Sequence, residues 1–583
     1  MNEALLIENL TFTYLHSDEP VLKNINLSIP RNKITAIVGV VGSGKTTLLL
    51  TMNGLIPQYF PGKLDGRVVV DGIDVSSVET EQLAQTINMI FDDPDLQIVA
   101  NTVEEDVAFG PANLGLPRTE IWERVEKALA RMRMQGYEKR NPRQLSGGEK
   151  QLLAMAGIFA MEPKIIAMDE PVAMLDPQGK RLVFDTLQYI NQDRGLTTIV
   201  TESGTDIEAV CEFADHMVVL HRGEVIFQGP PGEVFARKEL IEKTAMRVPQ
   251  VTRVFWQLGF QGTQIPVKLE DAVQEIRSRY PEINSPKSPR VSESINHPIG
   301  DPMVTGSNIH HVFPSYPPVH ALQGVNLILR QGELVALLGQ NGSGKSTLAL
   351  HLANILKPTN PEAQISAGGV DVVKAPTSDT IKIINYIFQN PKNQLFCQKF
   401  GEEVAYGPVQ MGCEPAEVTR RVDKALNEVG LLDLKDEYES PLTRAESTLL
   451  SFASVLSIEP PVIIADEPTG GLDEVTGRKV IQLLLEKTFA GETVMMITHD
   501  MELAASFATR IIVMCKGQII ADDTPRRVFA NQKVLDRAYL VPPAVTRLAL
   551  QTGLCDPTQV PITVDEFISL LPEAGTESKG EPA

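Results

Sequence analysis

The chain has 583 residues, 43% hydrophobic and 22% charged, the balance of a folded protein with a sizeable core rather than a disordered one. Its 53 Lys and Arg against 74 Asp and Glu give a formal net charge of −21, a field that repels a phosphate backbone and disfavours nucleic acid as a partner. No apolar run approaches the ~18 residues of a membrane-spanning helix, and the N-terminus lacks the basic start of a signal peptide, so the chain is expected to stay in the cytoplasm.

From the N-terminus, the first strong signal is the apolar run Ile34–Val38, suited to a buried strand, which leads into Gly39-Val-Val-Gly-Ser-Gly-Lys-Thr-Thr47 and then helix-forming leucines. A Gly-x4-Gly-Lys-Ser/Thr loop between strand and helix aims successive backbone N–H groups and a helix N-terminus at a phosphate. Gly39, Gly42, Ser43 and Gly44 shape that cradle, Lys45 neutralises the outer phosphates, Thr46 can place its hydroxyl on magnesium, and Thr47 stands beside it. Farther on, Leu145-Ser146-Gly147-Gly148-Glu149-Lys150-Gln151 opens an apolar helix with N–H groups available to an anion. Ile165–Met168 is a second buried-strand candidate, ending in Asp169, which can hold magnesium, and Glu170, which can orient or deprotonate an attacking water. Thr198–Val200 reads as a third strand, and Ser285–Pro302, with four prolines and four serines, as an exposed linker.

Beyond that linker the chain repeats itself. Leu334–Leu338 leads into Gly339-Gln-Asn-Gly-Ser-Gly-Lys-Ser-Thr347, 300 residues after the first loop, so Gly339, Gly342, Ser343, Gly344, Lys345, Ser346 and Thr347 take the same roles. Val462–Ala465, ending in Asp466 and Glu467, and Val494–Ile497 match the later strands, and the stretch Arg247–Arg253 is echoed by Val541–Arg547. Apolar strands alternating with amphipathic helices imply an α/β fold with a mainly parallel sheet. The five scattered cysteines contain no Cys-x-x-Cys and read as reduced and structural; His310, His311 and His320 read as an ordinary surface cluster.

The Leu145–Gln151 segment resembles the signature motif of ATP-binding-cassette ATPases, and the spacings agree between the halves. Ser146 precedes Asp169 by 23 residues, as Thr443 precedes Asp466; Asp169 precedes Glu202 by 33, as Asp466 precedes His499. The resemblance covers roughly residues 4–230 and 305–525 and implies two P-loop cassettes, each with a RecA-like parallel-sheet core, a helical signature subdomain and a small C-terminal helical extension. The expected domains are residues 1–278 and 303–572, joined by a linker over 279–302 and followed by a frayed polar tail over 573–583. ATP and Mg²⁺ are the implied cofactors, with Thr46, Asp169, Ser346, Gln389 and Asp466 toward the metal. Glu467, His499, Gln389 and Glu170 are the implied catalytic residues, and Tyr14 stacks on the adenine; in the second half Phe313 and Tyr316 both fall near that place. The family also assigns the loops Ala173–Asp176 and Gly470–Asp473 after each carboxylate pair. Its cassettes pair head to tail, so each ATP lies between the phosphate loop of one and the signature of the other, here Ser146, Gly147, Gly148 and Glu149.

Within that family, Asp93–Gly110, repeated in part as Asn390–Phe396 and Gly401–Gly407, is similar to energy-coupling-factor importers, which take up vitamins or transition-metal ions through a membrane scaffold and a small substrate-binding membrane protein. The resemblance therefore implies a transport ATPase, peripheral at the cytoplasmic face of the cell membrane. A soluble tandem cassette acting on ribosomes or nucleic acid, and a nucleotide-holding regulator without turnover, are the rival expectations. Three departures stand out: Asp92 where the family has glutamine, Glu202 where it has histidine, and Thr443-Arg444-Ala445 in place of Ser-Gly-Gly. Under head-to-tail pairing all three fall in one composite site, where Asp92 and Glu202 are expected to bring carboxylates toward the γ-phosphate. The other site, Lys345, Ser346, Gln389, Asp466, Glu467 and His499 against the first signature, is expected to be complete.

Overall fold

A computed structural model describes residues 3–172, 175, 177–204, 206–260, 262–281, 286–290, 299–314, 318–438, 442–470 and 472–572. Ala173, Met174, Asp176, Tyr316, Gly471 and the expected tail over 573–583, all named above, lie outside the described residues. The chain divides into two units, Met1–Asp271 and Ala272–Ala583. Among the described residues, no helix is long and apolar enough to cross a membrane.

The first unit contains β1 (Glu3–Tyr14), β2 (Leu22–Pro30), β3 (Ile34–Val38), β4 (Gly62–Val70), β5 (Ile73–Asp74), β6 (Ile87–Ile90), β7 (Ile165–Met168), β8 (Thr197–Glu202), β9 (His216–His221) and β10 (Glu224–Gly229). Six of them form a sheet in the order β10-β9-β3-β8-β7-β6, parallel from β9 to β6, with β10 added antiparallel at the edge. Every residue of β3, β7 and β8 is buried, which is why β3 and β7 run mostly apolar without alternation. The runs read at Ile34–Val38 and Ile165–Met168 are strands over those residues, whereas Thr198–Val200 extends to Thr197–Glu202 because Thr201 and Glu202 find hydrogen-bond partners inside. A second, antiparallel sheet in the order β2-β1-β4-β5 was not legible in the sequence. Register shifts between Ile7 and Leu10, and between Leu10 and Phe12, break the period-2 alternation that would have marked β1.

The second unit repeats this plan with β11 (Pro302–Phe313), β12 (Val319–Arg330), β13 (Leu334–Gly339), β14 (Gln364–Ala367), β15 (Val370–Asp371), β16 (Ile384–Ile387), β17 (Val462–Asp466), β18 (Thr493–Ile497), β19 (Arg510–Cys515) and β20 (Gln518–Asp523). Its sheets are ordered β16-β17-β18-β13-β19-β20 and β12-β11-β14-β15. In each unit the phosphate loop leaves a central strand, β3 or β13, and the carboxylate pair follows β7 or β17, two strands away on the same sheet. Loops at the C-terminal ends of parallel strands are where α/β sheets build their sites.

Helix α1 (Lys45–Met52) follows the first phosphate loop and α2 (Gly147–Met161) the first signature; α3 (Lys345–Leu352) and α4 (Arg444–Leu456) are their counterparts. The repeated Val-Thr-Arg segments lie on helices Gln250–Gln257 and Ala544–Thr552, where the threonines are buried and satisfied, Thr252 Oγ1 donating to Pro266 O at 2.9 Å and Thr546 Oγ1 to Pro561 O at 2.6 Å. Part of the expected linker is not free: Lys287 N donates to Leu554 O at 2.9 Å and Lys287 bridges Cys555, and Arg290 N donates to Ser569 Oγ at 2.8 Å, all within the second unit.

Candidate nucleotide sites

In the first unit Gly44 caps α1 at φ 103°, a left-handed conformation, and no side chain caps the helix. Gly344 does the same at φ 101°, where a Cβ would lie 2.4 Å from Ala321 O, so the turn demands glycine at that position. The first-turn N–H groups of α1 thus have no competing side-chain acceptor at the cap, and Ser43 Oγ is buried without a hydrogen-bond partner among the described residues. Both features fit a phosphate. Lys45, buried beneath the loop, donates to Gly39 O at 2.7 Å and Val40 O at 3.2 Å and lies 3.9 Å from Glu170 Oε1. Burial lowers the pKa of its ammonium, and Glu170, Asp169 and Glu202 pull it back up.

Thr46 Oγ1 donates to Asp169 Oδ2 at 2.5 Å and Thr201 Oγ1 to Asp169 Oδ1 at 2.6 Å, so the carboxylate is gripped from both sides. Burial raises its pKa despite these bonds. Glu170 follows at φ 44° and its N–H donates to Thr201 Oγ1 at 2.9 Å; Glu467 takes the same left-handed conformation at φ 49°. A glutamate rarely adopts it, and residues held so cluster at functional sites. Tyr14, at the end of β1, has its hydroxyl 3.1 Å from Thr47 Oγ1, beside the loop it was expected to serve.

In the second unit one cleft of about 160 Å³ gathers Lys345, Ser346, Gln389, Asp466, Glu467 and His499. Lys345 donates to Gly339 O and Gln340 O at 2.8 and 2.9 Å, Ser343 Oγ is a second buried hydroxyl without a partner among the described residues, and His499 Nε2 lies 3.4 Å from Glu467 Oε1. Asp466 Oδ2 accepts a 2.6 Å hydrogen bond from the Tyr386 hydroxyl. Hydroxyls, carboxylates and an amide oxygen are the hard donors magnesium takes, so Thr46 with Asp169, and Ser346 with Asp466 and Gln389, fit the ion chemically.

Register decides which described aromatic matches Tyr14. Phe12 pairs with Leu22 and His311 with Leu322, which puts Phe313 of β11 at the position of Tyr14 in β1. His311 itself corrects the surface-cluster reading: it is buried, its Nδ1 is 3.1 Å from Nε2 of the fully buried His351, and its ring packs edge-on against Phe313. His351 Nδ1 lies 2.6 Å from Thr347 O.

The signature serine caps α2 in a reciprocal box, Ser146 N donating to Glu149 Oε2 at 2.8 Å and Glu149 N to Ser146 Oγ at 3.3 Å. Thr443 and Glu446 form the same box on α4, so the altered motif still starts its helix correctly. The difference lies in the next position: a Cβ at Gly147 would stand in open space, and Arg444 occupies its counterpart, while a Cβ at Gly148 would meet Leu175 Cδ2 at 3.3 Å.

Glu202 is held by the loop that follows it. Its Oε1 accepts from Gly204 N at 2.8 Å and Asp206 N at 2.9 Å, turning the carboxyl back onto its own loop, and Asp92 Oδ1 accepts from Asp93 N at 2.9 Å. Burial, then Asp206 and Glu170, push the Glu202 pKa up to about 7. Both carboxyls stand close enough to act on the site: Asp92 raises the pKa of Asp169, and Glu202 raises that of Lys45. Sequence reasoning missed Thr201 and Tyr386, which hold the aspartates, and also Gln97 and Gln394. Gln97 Oε1 accepts from Phe91 N and its Nε2 donates to Met89 O, both at 2.9 Å; Gln394 Oε1 accepts from Phe388 N at 3.1 Å. Their recurrence at the same place in the two similar stretches was the available signal.

A family model described as ABC transporter matches residues 22–173 and 322–470. A curated relative from Methanosarcina mazei, provisionally named an ABC transporter ATP-binding protein, is 35% identical over 97% of this chain and 96% of its own length. One of the same provisional description from Caldanaerobacter subterraneus subsp. tengcongensis is 33% identical over 97% and 99%. Among solved structures, cbiO1 from Clostridium perfringens, part of the ABC transporter complex cbiONQ, is 35% identical over 45% of this chain and all of its own, with a TM-score of 0.38. The chain belongs to the ABC transporter family and carries two of its ATPase cassettes.

Proposed function

We propose that this chain is the energy-coupling ATPase of a membrane importer, working through separate membrane proteins, with one complete and one degenerate ATP site. The observation that carries the proposal is a set of exposed apolar side chains on each cassette, on loops anchored from beneath. Leu96 is 70% exposed and Val99 61%, with Phe109 nearby in sequence on the following helix; Phe396 is 63% exposed and packs edge-on against exposed Tyr406. Exposed apolar groups of this size, gathered on one loop, mark interaction sites. The loops are held ready from beneath: buried Asp106 accepts from Val99 N at 2.8 Å and Ala100 N at 2.9 Å, and buried Glu403 from Phe396 N at 3.0 Å and Cys397 N at 2.8 Å. Spending two buried carboxylates on exposed loops makes sense if a partner reads the loops' shape. In the first cassette Lys150 of the signature helix also donates to Asp95 Oδ1 at 2.7 Å, a direct link from the docking loop to the motif that meets ATP.

In this proposal the cassettes pair head to tail. Lys345 and the N–H groups at the start of α3 hold the phosphates, Ser346 and Asp466 hold magnesium, and Glu467 orients the attacking water beside His499, facing the signature Ser146–Glu149. Magnesium would supply charge neutralisation on the β- and γ-phosphates. The second site, with Arg444 facing its nucleotide, binds ATP without contributing much turnover. The similarity of Asp93–Gly110 to energy-coupling-factor importers extends the proposal to a vitamin or transition-metal ion as cargo, selected by a different polypeptide. Photo-crosslinkers placed at Leu96 and Phe396 test it in membranes of the native cell. Crosslinks to an integral membrane protein are expected; crosslinks only to ribosomes support the soluble rival, and a chain that binds ATP but releases no phosphate with that partner is a regulator.

A further inference from the structure

The two cassettes hold their magnesium-side aspartates by different means. In the first, Asp169 is gripped by two hydroxyls, Thr46 and Thr201. In the second, Thr498 stands at the position of Thr201, but its hydroxyl accepts from Asp500 N at 3.0 Å instead. The grip has moved to β16, where Tyr386, buried in the sheet, donates its phenol to Asp466 Oδ2 at 2.6 Å, with Ser346 close by. Pairing of Ile90 with Met168 and of Ile387 with Ala465 puts Met89 in the place of Tyr386, and Met89 Sδ only accepts from Asn53 Nδ2 at 3.2 Å.

From this we infer that Tyr386 is a positioning residue for the magnesium of the second cassette, a role for which the first has no counterpart. It rests on the reading of Ser346 and Asp466 as the magnesium holders. The phenol holds Asp466 directly and stands beside Ser346. It sits on a parallel strand whose residues are all buried, and its ring packs edge-on against Phe388 at 4.8 Å, so its oxygen has little freedom to follow either partner. A donor fixed on Oδ2 prevents rotation of the carboxylate and leaves Oδ1 to face a cation. It also stops Ser346 and Asp466 from closing on each other, as Thr46 and Asp169 do at 2.5 Å in the first cassette. The second cassette is then the better prepared of the two for its metal, and it is also the one with the glutamine, glutamate and histidine of a complete engine.

Hydrogen-bond partners of metal ligands typically contribute 10–100-fold in metal affinity. Tyr386→Phe removes the phenol and keeps the ring. The test uses the full chain with Lys45→Ala as background, so that the second cassette dominates nucleotide binding, and reads Mn²⁺ binding at saturating ATP by electron paramagnetic resonance. The Mn²⁺ dissociation constant should rise about tenfold or more in Tyr386→Phe, while ATP affinity in excess EDTA and the melting temperature of the nucleotide-free chain stay as in the background. Asp466→Asn is measured alongside. If Asp466→Asn weakens Mn²⁺ and Tyr386→Phe leaves it within twofold, the positioning role is wrong and the magnesium assignment stands. If Asp466→Asn itself leaves Mn²⁺ unchanged, the assignment fails and the inference with it. Equal weakening of ATP with and without metal in Tyr386→Phe would mark a merely structural tyrosine and overturn the inference as well.

Discussion

Glu170 and Glu467 share a left-handed backbone and a place after the magnesium-side aspartate, yet their neighbours differ: Glu467 lies 3.4 Å from His499 Nε2, while Glu170 lies 3.9 Å from Lys45 Nζ. A general base commonly supplies roughly 10²–10⁴-fold in rate. Glu467→Gln should therefore remove most steady-state phosphate release and transport with ATP binding intact, and Glu170→Gln should leave much of both; equal damage would mean two working engines. The Glu202 carboxyl allows a second test at this scale. Its folded pKa of about 7 stands above the ordinary 4.5, so the folded state binds the proton more tightly, and this group's contribution to stability falls as pH rises from 4.5 through 7. Glu202→Gln keeps an Oε1 acceptor for Gly204 N and Asp206 N and removes the titration. Its melting temperature should match the parent near pH 5 and exceed it at pH 8, by a free energy bounded at about 3 kcal/mol. Glu202→Ala, which strips both N–H groups of their acceptor, should destabilise at either pH.

At the scale of elements, the histidine pair under β11 behaves as one unit. Thr347 O can only accept, so His351 Nδ1 carries a proton; its Nε2 must then accept, and His311 Nδ1 donates. Protonating both rings would set donor against donor, and burial, first, then the neighbouring His311, holds His351 below the ordinary imidazole range. Unfolded chains take up the His351 proton first, so the stability from His351 rises with pH toward about 6.5. The first cassette has Phe12 and Thr51 at these places, with Thr51 Oγ1 donating to Leu48 O at 2.7 Å. His351→Thr alone should cost about 2 kcal/mol by leaving His311 without its acceptor, and adding His311→Phe should recover most of that, a non-additivity that thermal or urea unfolding of the double mutant would show.

These elements also mark the limits of reading the chain. Ile34–Val38 and Ile165–Met168 were legible because burial on both faces leaves an unbroken apolar run, and the phosphate loops because their glycines are demanded locally by backbone conformation and close approach. Thr201 and Tyr386 were not, because each meets its aspartate across strands, 32 and 80 residues away. His311 was misread because it was grouped with His310 and the exposed His320, and only the partner on α3 makes it a core residue. Glu202 fell outside the strand read at Thr198–Val200, because its carboxyl is satisfied by the N–H groups of the loop that follows, a contact the sequence does not show.

At the scale of the whole molecule, fusion of the cassettes changes the order of the reaction. Two separate cassettes that close on ATP have a turnover per cassette that depends on protein concentration, whereas tethered domains meet at an effective concentration set by the tether. Lys287, bonded to Leu554 and bridged to Cys555, and Arg290, bonded to Ser569, tie part of the connection to the second unit. ATPase activity per mole of chain should accordingly be flat from nanomolar to micromolar protein in the assembled complex. A chain severed between the two cassettes and measured over the same range should lose activity on dilution, and a severed chain as active as the intact one at nanomolar concentration would show that the tether is dispensable. Under the proposed function, fusion also writes the stoichiometry into one gene product: a membrane scaffold that recruits one cassette recruits the other.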